Sequence, residues 1–354
     1  MSTRPIHCDI FCTVIDNFGD IGVCWRLAQQ LAMEFGWRVR LLIDDDSALE
    51  WLASPLQRAA VRVSDFHNAK YENADVVIEA FACEIPQAFQ AAMAAREVPL
   101  VWLNLEYLSA ENWVATSHGL ASKHPRLPLT KYFFFPGFDA AIANTGGLIR
   151  ERDYDARRLD FDATAFREHH DLPLAVQNET VISFFSYINA PRDALYAAWA
   201  ASATPILVIQ PGDAGESWQR GNLRVHPLPY LSQRDYDELL WLCDLNFVRG
   251  EDSFVRAQWA EKAMVWQIYP QENDAHLVKL ESFLARYSPG GAGDTPLRSF
   301  WKAWNTLATP DWQVFATQLP QISTDAKNWA DSLRQHPDLA TNLVDFCLTR
   351  LKID

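Results

Sequence analysis

Buried strands and helices alternate twice along this chain, and this alternation restricts its fold more than any other feature. In the first half, short apolar runs typical of buried strands occur at residues 6–15, 37–43, 74–80, 99–105 and 131–135. Between the first two runs, apolar residues recur at helical spacing from Ile21 to Phe35, and Gly36 favours a helix end. Strands that alternate with helices are parallel strands joined by crossover connections, so this half predicts a parallel sheet flanked by helices.

A second alternating series follows a charged stretch between residues 146 and 174. Its strand candidates are residues 180–187, 205–210, 223–226, 244–248 and 264–268, its helix candidates are residues 192–203, 232–243 and 253–262, and the chain from residue 276 onward looks mostly helical. A single hydrophobic core rarely extends beyond roughly 250–300 residues, and this chain has 354. We therefore predict an α/β protein of two facing Rossmann-like domains, at residues 1–155 and 176–335, with a linker at 156–175 and a C-terminal helix at 336–354 that could pack back on the first domain.

Charge and cysteine content narrow the function classes. The chain has 31 Lys and Arg against 45 Asp and Glu, a formal net charge of -14, so we expect neither nucleic acid nor an anionic membrane as a partner. No apolar run reaches the roughly 18 residues that span a bilayer, and the start of the chain does not resemble a secretory signal, so the cytoplasm is the expected compartment. The cysteines form no C-x-x-C pair and lie in apolar runs, which predicts free, buried thiols.

The loop after the first strand carries two carboxylates, Asp16 and Asp20. Ligands of open α/β sheets bind at the carboxyl ends of the strands, so we expect a site in the loops there, in the cleft between the two domains. Gly19 permits a tight turn and Gly22 a close approach of the backbone, but the G-x-G-x-x-G fingerprint of dinucleotide binding is absent. Asp20 is either the N-cap of the following helix or a catalytic residue, and the residues alone leave both open. Asp16 has no capping position, and we interpret it as functional.

A second candidate loop reads R-G-E-D-S at residues 249–253, between a strand and a helix. Arg249 can bind a phosphate through two N–H groups, and the helix N-terminus adds free amides and the positive end of its dipole. This combination suits a pyrophosphate, with Glu251 and Asp252 facing a sugar hydroxyl and a capping amide. The alternative is a charged loop in which Asp252 or Ser253 only caps the helix.

Two further segments have both a functional and a structural interpretation. Residues 184–187 read F-F-S-Y at a strand end, where aromatic rings suit a nucleobase or a deoxyribose, or else only fill the core. Residues 44–46 are consecutive aspartates that could bind Mg²⁺ or a ribose. Successive residues of an extended segment point to opposite sides, however, which favours a solvated loop that caps the next helix. Serine hydrolase and P-loop motifs are absent.

Three segments together resemble the EarP family, the bacterial protein-arginine rhamnosyltransferases that act on elongation factor P. They read V-I-D-N-F-G-D-I-G-V-C-W-R-L-A-Q-Q-L at residues 14–31, F-F-S-Y at residues 184–187 and F-V-R-G-E-D-S-F-V-R-A-Q-W-A at residues 247–260. The likeness extends in order and length along essentially the whole chain. It implies a GT-B glycosyltransferase fold, dTDP-β-L-rhamnose as donor, one arginine of elongation factor P as acceptor, and inverting transfer that needs no metal or other cofactor.

The resemblance also implies a role for each candidate residue. The donor-binding residues would be Phe185, Tyr187, Gln233, Arg249, Glu251, Asp252 and Ser253. Asp16 and Asp20 correspond to the functional aspartates of the first domain, with Asn17, Phe18 and Gly19 beside the acceptor. A guanidinium has a pKa above ~12 and offers no lone pair at neutral pH, so a carboxylate must take its proton as the new bond forms. We expect Asp20 to be this base, Asp16 to orient the arginine, and Glu251 to be a catalytic residue that positions the donor.

Other function classes fit the candidate residues less well. Some require motifs that this chain lacks, and others require fewer of the candidate residues than it contains. A Rossmann-type oxidoreductase or epimerase would carry a glycine fingerprint and a Tyr-x-x-x-Lys pair, and neither occurs. A non-catalytic module that binds a sugar nucleotide would keep Arg249 and the aromatic segment but could dispense with Asp16 and Asp20. A glycosyltransferase with another acceptor would keep all of them. The last two functions remain as alternatives.

Overall fold

The protein consists of two compact units. The computed structural model describes residues 4–15, 19–138, 145–287 and 295–352, and of Glu272 it describes the backbone only. The first unit is formed by Met1–Arg152 together with Gln335–Asp354, and the second by Asp153–Arg334. Each unit contains one sheet with helices packed on it. Within the described parts of the chain, no helix combines the length and hydrophobicity that crossing a membrane would require.

The first unit is built on a seven-stranded sheet. Its strands are β1 (His7–Cys12), β2 (Arg38–Ile43), β3 (Val61–Asp65), β4 (Val76–Ala80), β5 (Val101–Leu105), β6 (Ala121–Lys123) and β7 (Thr130–Phe134). Their order is β3-β2-β1-β4-β5-β7-β6, and neighbours are parallel except β6 and β7. Because β1 lies between β2 and β4, the strand order reverses at its carboxyl end, where ligands of such sheets bind.

Helices of the first unit cover this sheet. They are α1 (Gly19–Phe35), α2 (Leu49–Leu52), α3 (Pro55–Ala60), α4 (Gln87–Ala94) and α5 (Val114–Ser117). The longest, α1, buries the residues whose helical spacing predicted it, among them Cys24, Leu27 and Leu31. On the other side of the sheet, Phe89 and Met93 of α4 pack in one cluster with Phe11 of β1.

The second unit has a six-stranded sheet with the same arrangement around its first strand. Its strands are β8 (Thr180–Phe184), β9 (Ile206–Pro211), β10 (Trp218–Arg220), β11 (Leu223–Leu228), β12 (Leu245–Arg249) and β13 (Ala263–Gln267). The order is β10-β11-β9-β8-β12-β13, parallel except for β10 and β11. The order reverses at β8, so the carboxyl ends of β8 and β12 lie next to each other at the switch point.

The helices of the second unit extend from residue 154 to residue 334. They are α6 (Tyr154–Leu159), α7 (Ala163–His169), α8 (Arg192–Ala200), α9 (Gln233–Leu242), α10 (Asp252–Trp259), α11 (Ala275–Tyr287), α12 (Pro296–Asn305), α13 (Trp312–Thr317) and α14 (Leu319–Arg334), with a 3-10 turn at Glu272–Asp274. An aromatic core anchors β8 and β12, because Phe184 contacts Phe247 at 5.0 Å and Trp199 at 5.1 Å between ring centroids.

The last helix, α15 (Leu339–Leu351), belongs to the first unit. It buries Leu343 and Cys347, and the guanidinium of Arg350 lies over the ring of Tyr132 in β7, 4.6 Å from its centroid. At the start of α15, Asp338 caps the helix and accepts a hydrogen bond from Gln30 of α1 at 3.0 Å. Residues from both ends of the chain therefore build one unit.

The strands predicted from apolar runs are present, with ends that differ by a few residues. The strand predicted at residues 180–187 ends at Phe184, so Phe185, Ser186 and Tyr187 lie in the loop that follows it. Three short strands, β3, β6 and β10, were not predicted, because each is too short or too polar and exposed to produce an apolar run. All six cysteines are free and buried, as predicted. The predicted linker range, 156–175, contains most of α6 and all of α7.

Candidate active site

Asp20 lies in the first turn of α1, directly behind the carboxyl end of β1. Its side chain is 2% exposed, and one carboxylate oxygen accepts a hydrogen bond from the backbone N–H of Ile15 at 2.9 Å. The other oxygen accepts a hydrogen bond from the hydroxyl of Tyr107 at 3.1 Å. These contacts fix the plane of the carboxylate at the switch point of the first sheet. The neighbouring candidates Asp16, Asn17 and Phe18 lie outside the described residues, whereas Gly19 is the first residue of α1.

Tyr107 is held in place by a strained turn after β4. Its ring stacks on Phe81, with 4.3 Å between centroids and 14° between planes. Phe81 and Ala82 have φ angles of 57° and 56°, a left-handed conformation that costs residues with a Cβ roughly 1–3 kcal/mol. The hydrogen bond from Phe81 N to Leu105 O, at 2.7 Å, holds this turn against β5. Strain of this kind accumulates where function needs a fixed geometry.

Tyr107 was not predicted from the sequence, although a signal for it was present. It follows the apolar run of β5 by two residues, at the same carboxyl edge as the loop of Asp20.

The consecutive aspartates 44–46 lie at the carboxyl edge of the first sheet as well. Asp44 accepts a hydrogen bond from Val14 N at 3.0 Å, and Asp45 accepts one from Ser47 N at 2.9 Å, which lowers the pKa of Asp45. Asp44 and Asp45 therefore stabilise an exposed loop, as the structural interpretation predicted. The predicted cap is wrong, because the N-cap of α2 is Ala48 and no side chain makes a capping hydrogen bond there.

The loop between β12 and α10 is tied to β13 through Gly250. This glycine has a φ of 64°, a conformation that glycine adopts without strain. Its carbonyl accepts a hydrogen bond from Trp266 Nε1 at 2.7 Å, and its N–H donates to Gln267 O at 3.2 Å. The path of the loop is thus set by the neighbouring strand.

The alternative interpretation, in which Asp252 or Ser253 is the N-cap of α10, is wrong. The N-cap of α10 is Glu251, which has helical angles (φ -103°, ψ -53°) and makes no side-chain capping hydrogen bond, and Asp252 is the first helical residue. The Ser253 hydroxyl instead accepts a hydrogen bond from Arg249 N at 3.1 Å and donates one to Arg249 O. Ser253 therefore closes the loop onto the backbone of Arg249 rather than onto the helix amides.

The side chain of Arg249 lies against the aromatic residues that follow β8. Its guanidinium carbon is 4.2 Å from the ring centroid of Phe185 and 4.8 Å from that of Tyr187, within the range of cation–π attraction. The sequence places these residues more than sixty positions apart. They meet because β8 and β12 are neighbours in the sheet.

Two hydrogen bonds hold the segment after β8 in position. The N–H of Phe185 donates to Phe247 O at 3.1 Å, and that of Tyr187 donates to Gln267 Oε1 at 2.8 Å. The ring of Tyr187 makes an edge contact with Tyr269, with centroids 5.8 Å apart. This segment and the loop of Arg249 form a single surface at the carboxyl edge of the second sheet.

Gln233, also a candidate, is the first residue of α9 and is buried. The helix that carries it is joined to α10 by a buried ion pair. Arg256 donates to both carboxylate oxygens of Asp237, at 2.8 and 2.7 Å, and both side chains are 0% exposed. The ion pair therefore connects α9 and α10 near the middle of each helix.

The sequence matches the family described as elongation factor P (EF-P) rhamnosyltransferase EarP over residues 8–348. The chain belongs to the EarP family. A protein-arginine rhamnosyltransferase of Pseudomonas aeruginosa is 44% identical over 372 residues, which cover 96% of this chain and 98% of that protein. A solved structure, described as the structural basis for EarP-mediated arginine glycosylation of translation elongation factor EF-P, is 33% identical with a TM-score of 0.68, and the match covers 96% of this chain and 98% of that one.

The fold extends beyond the EarP family. A solved structure of the spinosyn rhamnosyltransferase SpnG has a TM-score of 0.57 at 12% identity, and the match covers 96% of this chain and 99% of that one. At that identity the likeness shows the fold alone. Together with the two Rossmann-like sheets, it confirms the predicted GT-B glycosyltransferase fold. As a member of the EarP family, the protein is an enzyme of the rhamnosyltransferase class.

Proposed function

We propose that this enzyme transfers L-rhamnose from dTDP-β-L-rhamnose to one arginine side chain of elongation factor P, with inversion at the anomeric carbon. The EarP family description and the named relatives support the sugar, the arginine and the acceptor protein. The observation that carries the proposal is the guanidinium of Arg249 against the rings of Phe185 and Tyr187 at the start of α10. A translation factor acts in the cytoplasm, so the proposal assigns the enzyme to that compartment.

A nucleoside diphosphate-sugar combines a flat base with a charged diphosphate, and the second unit offers matching groups. Arg249 and the N-terminus of α10 suit the diphosphate, because both present N–H donors and positive charge. The rings of Phe185 and Tyr187 suit the thymine and the deoxyribose. We assign Gln233 to the nucleotide as well, and Asp252 and Ser253 to the loop that encloses the donor.

The transfer step requires charge stabilisation at two places. The bond between the anomeric carbon and the β-phosphate oxygen breaks, and its electron pair leaves with dTDP. An arginine nitrogen attacks from the opposite face, which inverts the carbon, and the nitrogen loses one proton. Positive charge develops on the sugar ring while negative charge grows on the diphosphate, where Arg249 and the amides of α10 stabilise it.

The proton of the arginine must pass to a base. A guanidinium is protonated up to a pH above ~12, so its nitrogen becomes nucleophilic only as the proton is removed. We assign Asp20 as this base, since the N–H of Ile15 and the hydroxyl of Tyr107 hold its carboxylate in one orientation. Asp16 is assigned as the carboxylate that orients the arginine, and Glu251 as the residue that positions the donor.

The proposal is tested by mixing the protein with dTDP-rhamnose and elongation factor P and measuring the acceptor's mass. The wild type should add one deoxyhexose. Asp20→Asn should bind dTDP in calorimetry as the wild type does and lose transfer by at least about 100-fold, because a general base typically contributes that much. Asp46→Asn, an exposed aspartate of the same unit, is the matched control and should transfer normally.

Each alternative function has its own outcome in this assay. Release of rhamnose from the donor without a mass change on elongation factor P would indicate a different acceptor. Binding of dTDP with neither release nor transfer would indicate a non-catalytic module. Near-normal transfer by Asp20→Asn would contradict the assignment of Asp20 as the base.

A further inference from the structure

Arg192, the first residue of α8, reaches back to the aromatic segment after β8. Its Nε donates to Ser186 Oγ at 2.9 Å. Its Nη2 donates to Ser186 O at 3.0 Å and to Tyr187 O at 3.2 Å. One guanidinium thereby holds the backbone on which the rings of Phe185 and Tyr187 are mounted.

The same carbonyl oxygen is shared with a second cation. Arg249 Nη1 donates to Ser186 O at 3.3 Å, so nitrogens of two guanidinium groups lie within 3.3 Å of one oxygen atom. A neutral carbonyl offers only a partial negative charge against two full positive charges. Among the described residues, no carboxylate makes an ion pair with Arg192 or Arg249. Two like charges at this separation repel each other unless an anion lies between them.

Both guanidinium groups retain donors for such an anion. Within the described ranges, Arg192 Nη1 and the Nε and Nη2 of Arg249 have no hydrogen-bond partner in the protein. Arg249 keeps Nε and Nη2, the pair of parallel N–H groups through which arginine binds phosphate oxygens, whereas Arg192 keeps Nη1 for the second phosphate group. A diphosphate carries two negative charges at adjacent phosphorus atoms, which matches two adjacent guanidinium groups.

We propose that Arg192 and Arg249 together form a two-cation site for the diphosphate of the nucleotide donor, in which Arg192 is a binding residue beside Arg249. This inference rests on the proposed function, because it takes the donor to be a nucleoside diphosphate-sugar. The second cation has a consequence for the reaction as well. The diphosphate gains a negative charge when it leaves the sugar, so Arg192 stabilises the departing dTDP together with Arg249.

The test separates a role in charge recognition from a role in holding the loop. Calorimetry with thymidine, dTMP and dTDP is carried out on the wild type, Arg192→Gln and Arg192→Lys. Arg192→Gln should weaken dTDP binding by about 10- to 100-fold, the usual effect of losing hydrogen bonds to a charged group, and should change thymidine binding by less than about twofold. Arg192→Lys, which keeps the charge, should restore part of the preference for dTDP over thymidine. Arg220→Gln removes an exposed arginine of the same unit and should bind like the wild type.

The other outcomes overturn the inference. Equal losses of affinity for thymidine and dTDP would mean that Arg192 only holds the segment after β8. Equal affinities of Arg192→Lys and Arg192→Gln for dTDP would mean the same. Unchanged dTDP binding by Arg192→Gln would remove Arg192 from the site altogether.

The salt dependence of binding gives a further expected result. The affinity for dTDP should depend less on salt in Arg192→Gln than in the wild type, because a charge is lost from the site. A wild type that binds no dTDP would instead contradict the proposed function.

Discussion

At the scale of single residues, each of the two side chains to which we assign a role here depends on a neighbour from a distant part of the sequence. Asp20 is oriented by Tyr107, and Arg249 is oriented by the rings of Phe185 and Tyr187. None of these neighbours carries out the proposed chemistry by itself. They determine how precisely the reacting groups are aimed, and an error of about 1 Å in such a position can cost about 100-fold in rate.

Removal of the Tyr107 hydroxyl should slow transfer without affecting the donor. In Tyr107→Phe the ring still stacks on Phe81, but one hydrogen bond to the Asp20 carboxylate is lost. A hydrogen bond to a charged group contributes roughly 1.5–3 kcal/mol, so we expect kcat to fall by about tenfold or more and KM for the donor to stay unchanged. Steady-state kinetics by mass spectrometry measures both. Tyr132→Phe loses the same atom elsewhere in the unit and is the control; an equal effect in both variants would argue against a role for Tyr107.

Replacement of Arg249 should weaken nucleotide binding itself. Arg249→Ala removes the guanidinium that faces the rings of Phe185 and Tyr187, and with it a charge for the diphosphate. We expect dTDP affinity to fall by about 10- to 100-fold in calorimetry. The dTDP affinity of Arg249→Lys should lie between those of the wild type and Arg249→Ala, because lysine keeps the charge but not the pair of parallel N–H groups. An affinity for dTDP equal to that of the wild type in Arg249→Ala would refute the phosphate role.

At the scale of secondary structure, the ion pair of Asp237 and Arg256 holds α9 and α10 together. Loss of one partner of a fully buried pair leaves an uncompensated charge and typically costs about 3–5 kcal/mol. We therefore expect Asp237→Asn to lower the free energy of unfolding of the second unit by about that amount, measured by denaturant titration. The double variant Asp237→Leu, Arg256→Met should lose less than the two single variants added together, because neither charge of this pair remains buried without its partner. Additive losses would show that the two side chains do not interact.

The elements themselves were mostly predictable. Apolar runs and helical spacing are properties of neighbouring residues, so they predicted β1, β8 and β12 and the helices that follow them. Short exposed strands such as β6 and β10 exist only because a neighbouring strand pairs with them, and no local pattern records that pairing. The loop of Arg249 was identified as a candidate site, but the hydrogen bonds of Ser253 to the backbone of Arg249 were not predicted.

At the scale of the whole molecule, one half-buried histidine should make stability depend on pH. His118 accepts a hydrogen bond from Phe135 N at 3.0 Å and packs on Phe134. Burial, together with the charge of Arg350, lowers the pKa of His118 from 6.5 to about 4. The unfolded chain therefore binds a proton between pH 6.5 and about 4 that the folded chain does not, and stability falls as pH falls through this window.

The size of this loss of stability follows from the lowered pKa of His118. One pKa unit corresponds to about 1.4 kcal/mol, and partial solvent exposure reduces the figure, so we expect a loss of ~2 kcal/mol from this residue. Denaturant titration at several pH values measures it. His118→Asn keeps an acceptor for Phe135 N but does not titrate, so its stability should decline less over the same window. An identical decline in both proteins would show that other groups account for the pH dependence.

The sequence alone determined which segments of the chain form most of its strands and helices. The alternation of apolar runs with helical spacing predicted two parallel sheets, and the positions of charged and aromatic loops after the strands indicated the candidate sites. Those signals are readable because they arise from residues a few positions apart. The partners of each functional group were decided only by the tertiary structure: Tyr107 beside Asp20, the aromatic rings beside Arg249, and Arg192 beside the carbonyl that Arg249 also contacts. Such contacts depend on which strands are neighbours and how side chains pack between them, and that information is spread over the whole chain rather than contained in any one segment of it.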